Sequence, residues 1–118
     1  MKEAVAQNPA WVGARRRAEV EVEDELPSGD RIDVLFHEPL RDLAVEVKTS
    51  QASVLDVKRG LFQCVKYEAV LVAVAKVDAS PRSCESVLAL GGELPSELVP
   101  VMNLLGVRVL ENVGNGAF

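Results

Sequence analysis

Two short runs constrain this chain more than any other feature. Arg31 to Phe36 (RIDVLF) and Leu43 to Lys48 (LAVEVK) both set charged residues into an apolar alternation. Successive side chains of a strand point to opposite faces. Ile32 and Val34 are therefore expected on one face and Asp33 on the other, while Val45 and Val47 oppose Glu46 and Lys48. Two residues at that spacing lie roughly 6.6 Å apart along one face. Antiparallel pairing of the two runs brings Asp33, Glu46 and Lys48 to a single polar spot. Two carboxylates and an ammonium at the end of a sheet suit a hard cation that takes oxygen ligands and keeps several waters. Lys48 beside it can orient a water or offset charge growing on a phosphate. Taken alone, the tripeptide Glu46-Val47-Lys48 is explained as well by a solvated strand face. The apolar flanks make it a charged island, which is costlier than an exposed edge.

The remaining pattern builds an α/β chain around these runs. Residues 16–25 (RRAEVEVEDE) alternate as a half-buried strand does, and Pro27-Ser28-Gly29-Asp30 is a turn signal. Three short strands with tight connections predict an antiparallel meander. Ser53-Val54-Leu55-Asp56 resembles a capping box and predicts a helix start, with Val54, Val57, Leu61 and Val65 as its buried stripe. Glu68 to Val77 (EAVLVAVAKV) reads as a strand covered on both faces. Residues 82–90 are expected to form a short helix ending at Gly91-Gly92. Pro95 opens a helical pattern through Leu105 that Gly106 caps, and residues 107–110 read as a last strand. The predicted order is βββαβαβ, with residues 1–14 unassigned. At 118 residues the chain is expected to be one domain, and with 4% aromatics its core is aliphatic.

Charge and composition exclude several classes. Eighteen acids against thirteen bases give −5, which argues against an indiscriminate polyanion binder. The excess is uneven: residues 15–67 hold nine bases and eleven acids, residues 68–118 three and six. Cys64, Cys84 and the lone His37 cannot assemble a zinc site, and a reducing cytoplasm is the expected compartment. The apolar run Ala69 to Ala75 is far short of the roughly 20 residues of a membrane helix, and no signal-peptide profile opens the chain. Arg15-Arg16-Arg17 suits either a backbone phosphate or a solvated strand entrance. His37 is expected at the surface and Trp11 as a packing anchor, and Gly91-Gly92 lacks the Lys-Ser/Thr of a P-loop.

The predicted helix adds to the polar spot. At about 100° per residue, Asp56, Arg59, Gln63, Lys66 and Tyr67 fall on one face, opposite the apolar stripe. Arg59 and Lys66 suit phosphate contacts, Gln63 and Tyr67 the positioning of substrate or water. Considered singly, each is equally an ordinary solvated helix residue.

Gly29-Asp30-Arg31-Ile32-Asp33-Val34, then Val45-Glu46-Val47-Lys48, then Gln63-Cys64-Val65-Lys66-Tyr67 resemble the PD-(D/E)XK nuclease superfamily. Twelve residues separate Asp33 from Glu46 and fourteen separate Lys48 from Gln63. The Q-x-x-x-Y helix motif is similar to that of RecB-like branches. The resemblance covers roughly residues 16–77. It implies a restriction-endonuclease-like mixed β-sheet flanked by helices and Mg²⁺-dependent cleavage of phosphodiester bonds, with Mn²⁺ as a substitute. Asp33 and Glu46 are then metal ligands, with the Val47 carbonyl a third oxygen. Lys48 is the catalytic lysine, and Gln63 and Tyr67 are auxiliary. Arg31, Arg59 and Lys66 become the nucleic-acid contacts. Family members often add an acid from a helix before the first strand. Here Glu3 is the only acid in that region, with Glu19, Glu21 or Glu23 as substitutes.

The expectation is a metal-dependent nuclease domain acting on DNA, without a membrane and working as a homodimer or within a larger nuclease assembly. The alternative is an inactive nuclease-fold module that binds nucleic acid or mediates assembly. A third reading is an α/β domain that docks on proteins alone.

Overall fold

The computed structural model describes all residues, 1–118. The elements are α1 (Lys2–Gln7), a 3₁₀ turn (Pro9–Val12), β1 (Glu19–Glu25), β2 (Arg31–His37), β3 (Arg41–Lys48), α2 (Val54–Val77), β4 (Ser83–Leu90), a 3₁₀ turn (Ser96–Leu98), α3 (Val99–Leu105) and β5 (Arg108–Leu110). They form a five-stranded mixed sheet in the order β1-β2-β3-β4-β5. The meander β1-β2-β3 is antiparallel, and β4 and β5 are added in parallel. Parallel addition requires a crossover, and α2 supplies it. No helix is long and apolar enough to cross a membrane.

Strand alternation divides the core between the two faces. Val34 and Phe36, with Leu43, Val45 and Val47, meet Val5, Val12, Val87, Ala89 and Val113 on one side. Ala44, Leu88 and Leu90 pack beneath α2 on the other, through Val57, Leu61, Cys64, Tyr67 and Leu71. At about 25 cal/mol per Å² this two-sided burial is the main drive to fold. At the N-terminus α1 and the 3₁₀ turn cover the first face. There the Trp11 ring, 36% exposed, anchors against Phe118 at 6.3 Å between centroids.

Several expectations are corrected. The run 68–77 is the second half of α2, and the strand covered on both faces is β4, which was expected to be a helix. The string βββαβαβ survives only because these two errors offset each other. An apolar run cannot separate strand from helix by periodicity. The deciding observation is the absence of any Pro or turn signal between Ser53 and Asp78. The Ser53 side chain accepts from the Asp56 amide, and the helix continues for 24 residues, about 36 Å. Its buried stripe also shifts. Val57 and Leu61 are buried, but Val54 and Val65 are exposed, and Tyr67, expected opposite the stripe, is buried. The first strand begins at Glu19, because Arg16 and Arg17 lie in a turn. Only Val99–Leu105 of the Pro95 segment is α-helical, and Gly106 caps it at φ +67°.

Candidate active site

The β2–β3 ladder runs from His37↔Asp42 to Val34↔Val45 and stops there. Beyond that point the Val47 amide donates to Asp33 Oδ2 at 2.9 Å, so a side chain replaces a strand carbonyl. The β1–β2 ladder is interrupted at the same level. Val22↔Val34 and Asp24↔Ile32 pair, but Glu23 opposite Asp33 does not, and Glu23 has φ +57°. Non-glycine residues rarely adopt this left-handed conformation. Asp33 therefore sits where both ladders open. Its neighbours no longer alternate: Ile32 packs with Leu35 beneath α2, whereas Val34 packs on the opposite face. The expected common face for Ile32 and Val34 is thus wrong, and the opening of the ladders is the reason.

Glu46 is 5% exposed. Burial, reinforced by the adjacent Asp33 carboxylate, pushes its carboxyl up to about 8. Tyr67 Oη lies 2.8 Å from Glu46 Oε2 and 2.8 Å from the Arg31 carbonyl oxygen. A phenol has one proton. Tyr67 donates that proton to one of the two oxygens or shares it between them, and a protonated Glu46 can donate to Tyr67 while Tyr67 donates to the Arg31 carbonyl. Burial and the nearby Glu46 also push the Tyr67 hydroxyl well above its ordinary range.

Lys48 follows Glu46 on the same face, beneath α2. A Cβ built on Gly60 would stand 3.4 Å from Lys48 Cε, 3.6 Å from Glu46 Cγ and 3.0 Å from Leu88 Cδ1. The helix axis approaches the Glu46 and Lys48 stems closely because position 60 has no side chain. Gln63 lies between Gly60 and Tyr67 on this helix face. Its Oε1 is buried without a hydrogen-bond partner.

Not every expected residue joins this group. Lys66 Nζ pairs with Asp30 at 2.9 Å, Arg59 with Asp56 at 3.5 Å, and Arg31 with Glu25 at 3.9 Å. Each cation is already matched locally, and only the Arg31 carbonyl reaches the site. His37 is half-buried, with Nδ1 2.9 Å from Asp42, and Arg82 pairs with the same carboxylate. The expected surface position of His37 is thus only partly exposed.

Sequence reasoning missed Lys2, which lies in the unassigned N-terminal segment. Its Nζ is 2.9 Å from Glu23 Oε1 and 3.5 Å from Asp33 Oδ1. Among Glu3, Glu19, Glu21 and Glu23, Glu23 is the acid that shares a cation with Asp33. No signal in the sequence pointed to Lys2, whereas a glycine seven residues into a helix was a visible sign of close approach.

The donor set fits a hard divalent ion. Burial, with the Asp33 carboxylate second, disfavours the charged form of Glu46, and a bound cation would offset both effects. No third His, Cys, Asp or Glu completes a cluster with them, and Mg²⁺ sites commonly use one or two carboxylates with water. No family model matches the chain, and no curated protein matches its sequence.

Proposed function

We propose that the chain is a metal-dependent nuclease domain of the PD-(D/E)XK type, acting on DNA, with a restriction-endonuclease-like sheet. One observation carries the reading: Asp33 is bonded to the amide next to Glu46 where the β2–β3 ladder opens, and the Glu46 and Lys48 stems both lie under Gly60. Asp33 and Glu46 would hold Mg²⁺, with the Val47 carbonyl as a further donor. The ion when bound supplies Lewis-acid polarisation of the phosphate and a more acidic water. The Lys48 ammonium orients the attacking water and offsets charge growing on the phosphoryl oxygens. Tyr67 turns its hydroxyl to the ionised Glu46 and fixes that carboxylate, and Gln63 offers an acceptor on the same helix face. Plasmid and single-stranded DNA with Mg²⁺ or Mn²⁺ test the reading. Wild type cleaves, while Asp33→Ala and Lys48→Ala lose at least a hundredfold. Equal activity in the three proteins rejects it.

The Lys2 ammonium between Glu23 and Asp33 favours a second reading, a nuclease-fold module that binds nucleic acid without cleaving it. In that case divalent ions leave the protein unaffected and Asp33→Ala retains DNA affinity.

A further inference from the structure

Arg15, Arg16 and Arg17 alone line a surface hollow of about 610 Å³ at the start of β1. All three are exposed, and none makes an ion pair. Lys2, Arg31, Arg41, Arg59, Lys66 and Arg82 have carboxylate partners, while Lys48, Lys58, Lys76 and Arg108 have none; what sets residues 15–17 apart is three unpaired cations in consecutive positions.

The turn that carries the arginines is fixed by its backbone. The Arg15 amide donates to Glu38 Oε2 at 2.8 Å, and the Ala18 amide donates to the Arg15 carbonyl at 3.1 Å. Glu38 is 6% exposed and is gripped by Arg41, which holds its carboxyl below the usual range. A buried carboxylate held below its usual range therefore pins the loop and stands near Arg15, while no guanidinium of the three forms an ion pair. Keeping three like charges close together is unfavourable for folding. A ligand that neutralises them removes that cost.

We propose that Arg15, Arg16 and Arg17 form a backbone-phosphate site for nucleic acid, separate from the Asp33–Glu46 pair. This rests on and deepens the nuclease reading. Guanidinium forks match phosphate oxygens in bidentate geometry. The lining contains no apolar residue, whereas a lipid surface is gripped through inserted apolar side chains. Arg17 stands six positions before Glu23, the position opposite Asp33, which at about 3.4 Å per step bounds the separation at roughly 20 Å. That is about six base-pair steps of a duplex. The glutamates at 19, 21, 23 and 25 lie exposed along β1. They repel phosphate between the two points, so the strand is held at the ends of β1 and not along it.

The test is anisotropy of labelled duplex and single-stranded DNA in EDTA, at 50 and 200 mM salt. It compares Asp33→Ala with Asp33→Ala carrying Arg15→Gln, Arg16→Gln and Arg17→Gln. Phosphatidylserine vesicles and poly-glutamate are parallel arms. The turn is held by backbone bonds, so the Gln variant keeps its melting temperature, and a triple Lys variant restores charge. Three phosphate contacts give a log–log salt slope near −2.7, roughly a fortyfold loss between the two salts. The Gln variant is expected to bind at least tenfold more weakly at 50 mM, with the slope reduced by about 2 to 3, and the Lys variant recovers most of the affinity. Unchanged affinity and slope in the Gln variant overturn the site, as does arginine-dependent capture of vesicles or poly-glutamate without DNA binding. Cleavage by wild type in Mg²⁺ is read separately. Arginine-dependent binding without cleavage removes the metal reading and keeps this site, whereas cleavage insensitive to the three substitutions removes this site and keeps the metal reading.

Discussion

Gly60 joins the fold to the candidate site, and its replacement is the perturbation with the clearest magnitude. Glycine in a helix interior is about 0.8–1 kcal/mol less favourable than alanine. Any larger side chain meets Leu88 Cδ1, and a Cβ alone already stands at 3.0 Å from it. Leu88 is fully buried, so it yields only by disturbing the core under α2. Gly60→Ala sets a propensity gain of about 1 kcal/mol against a compression of a few tenths of an ångström, and is expected to be within about 0.5 kcal/mol of neutral. Gly60→Val adds two methyl groups on the line of Lys48 Cε and Glu46 Cγ. Overpacking of this kind costs typically 1–3 kcal/mol, from which about 0.3 kcal/mol of propensity is recovered. The expected loss is roughly 1–2.5 kcal/mol, read by urea denaturation. The Lys48 and Glu46 stems share the contact, so cleavage falls about a hundredfold, the scale associated with a misplacement near 1 Å. Ala69→Val, on the exposed face of the same helix, is the control and stays near wild type in both measurements. A Gly60→Val protein as stable and as active as the control refutes the claim that α2 is seated on these two stems.

Two further outcomes follow from the same geometry. Without metal, a carboxyl raised from 4.5 to about 8 contributes stability that is fully present below pH 4.5 and lost as pH rises toward 8. At pH 7 this loss is about 3 kcal/mol for Glu46, so urea melts in EDTA show wild type weakening between pH 5 and 8 while Glu46→Gln stays nearly flat. A flat wild-type profile contradicts the buried protonated carboxyl. Lys2→Gln releases Asp33 and Glu23 from their shared ammonium, so calorimetric titration with Mn²⁺ is expected to give severalfold tighter binding. Weaker binding contradicts the competition between that ammonium and the ion.

The sequence carried the meander and the polar spot because period-2 alternation and turn residues act locally. The hairpin brings β2 and β3 side by side and alternation puts Glu46 and Lys48 on one face, whereas Asp33 reaches β3 through its side chain where the ladder has opened. What stayed hidden depends on long-range packing. Lys2 reaches Asp33 from a segment with no repeating pattern, and Glu23 adopts a positive φ without any glycine to announce it. The run 68–77 was misread because α2 is apolar beyond its sheet-facing stripe, with Val72 and Val77 turned outward. Tyr67, expected on the face opposite the apolar stripe, is buried because the stripe that meets the sheet passes through Gly60 and Cys64 and not through Val54 and Val65. Arg59 and Lys66 looked available as phosphate contacts because the sequence does not show Asp56 and Asp30 beside them.

Anomalous diffraction from crystals soaked in Mn²⁺ tests the central claim most directly. One peak is expected within about 2.2 Å of carboxylate oxygens of both Asp33 and Glu46, at pH 8 and absent in Asp33→Ala. A peak elsewhere on the surface, or none at millimolar Mn²⁺, contradicts it.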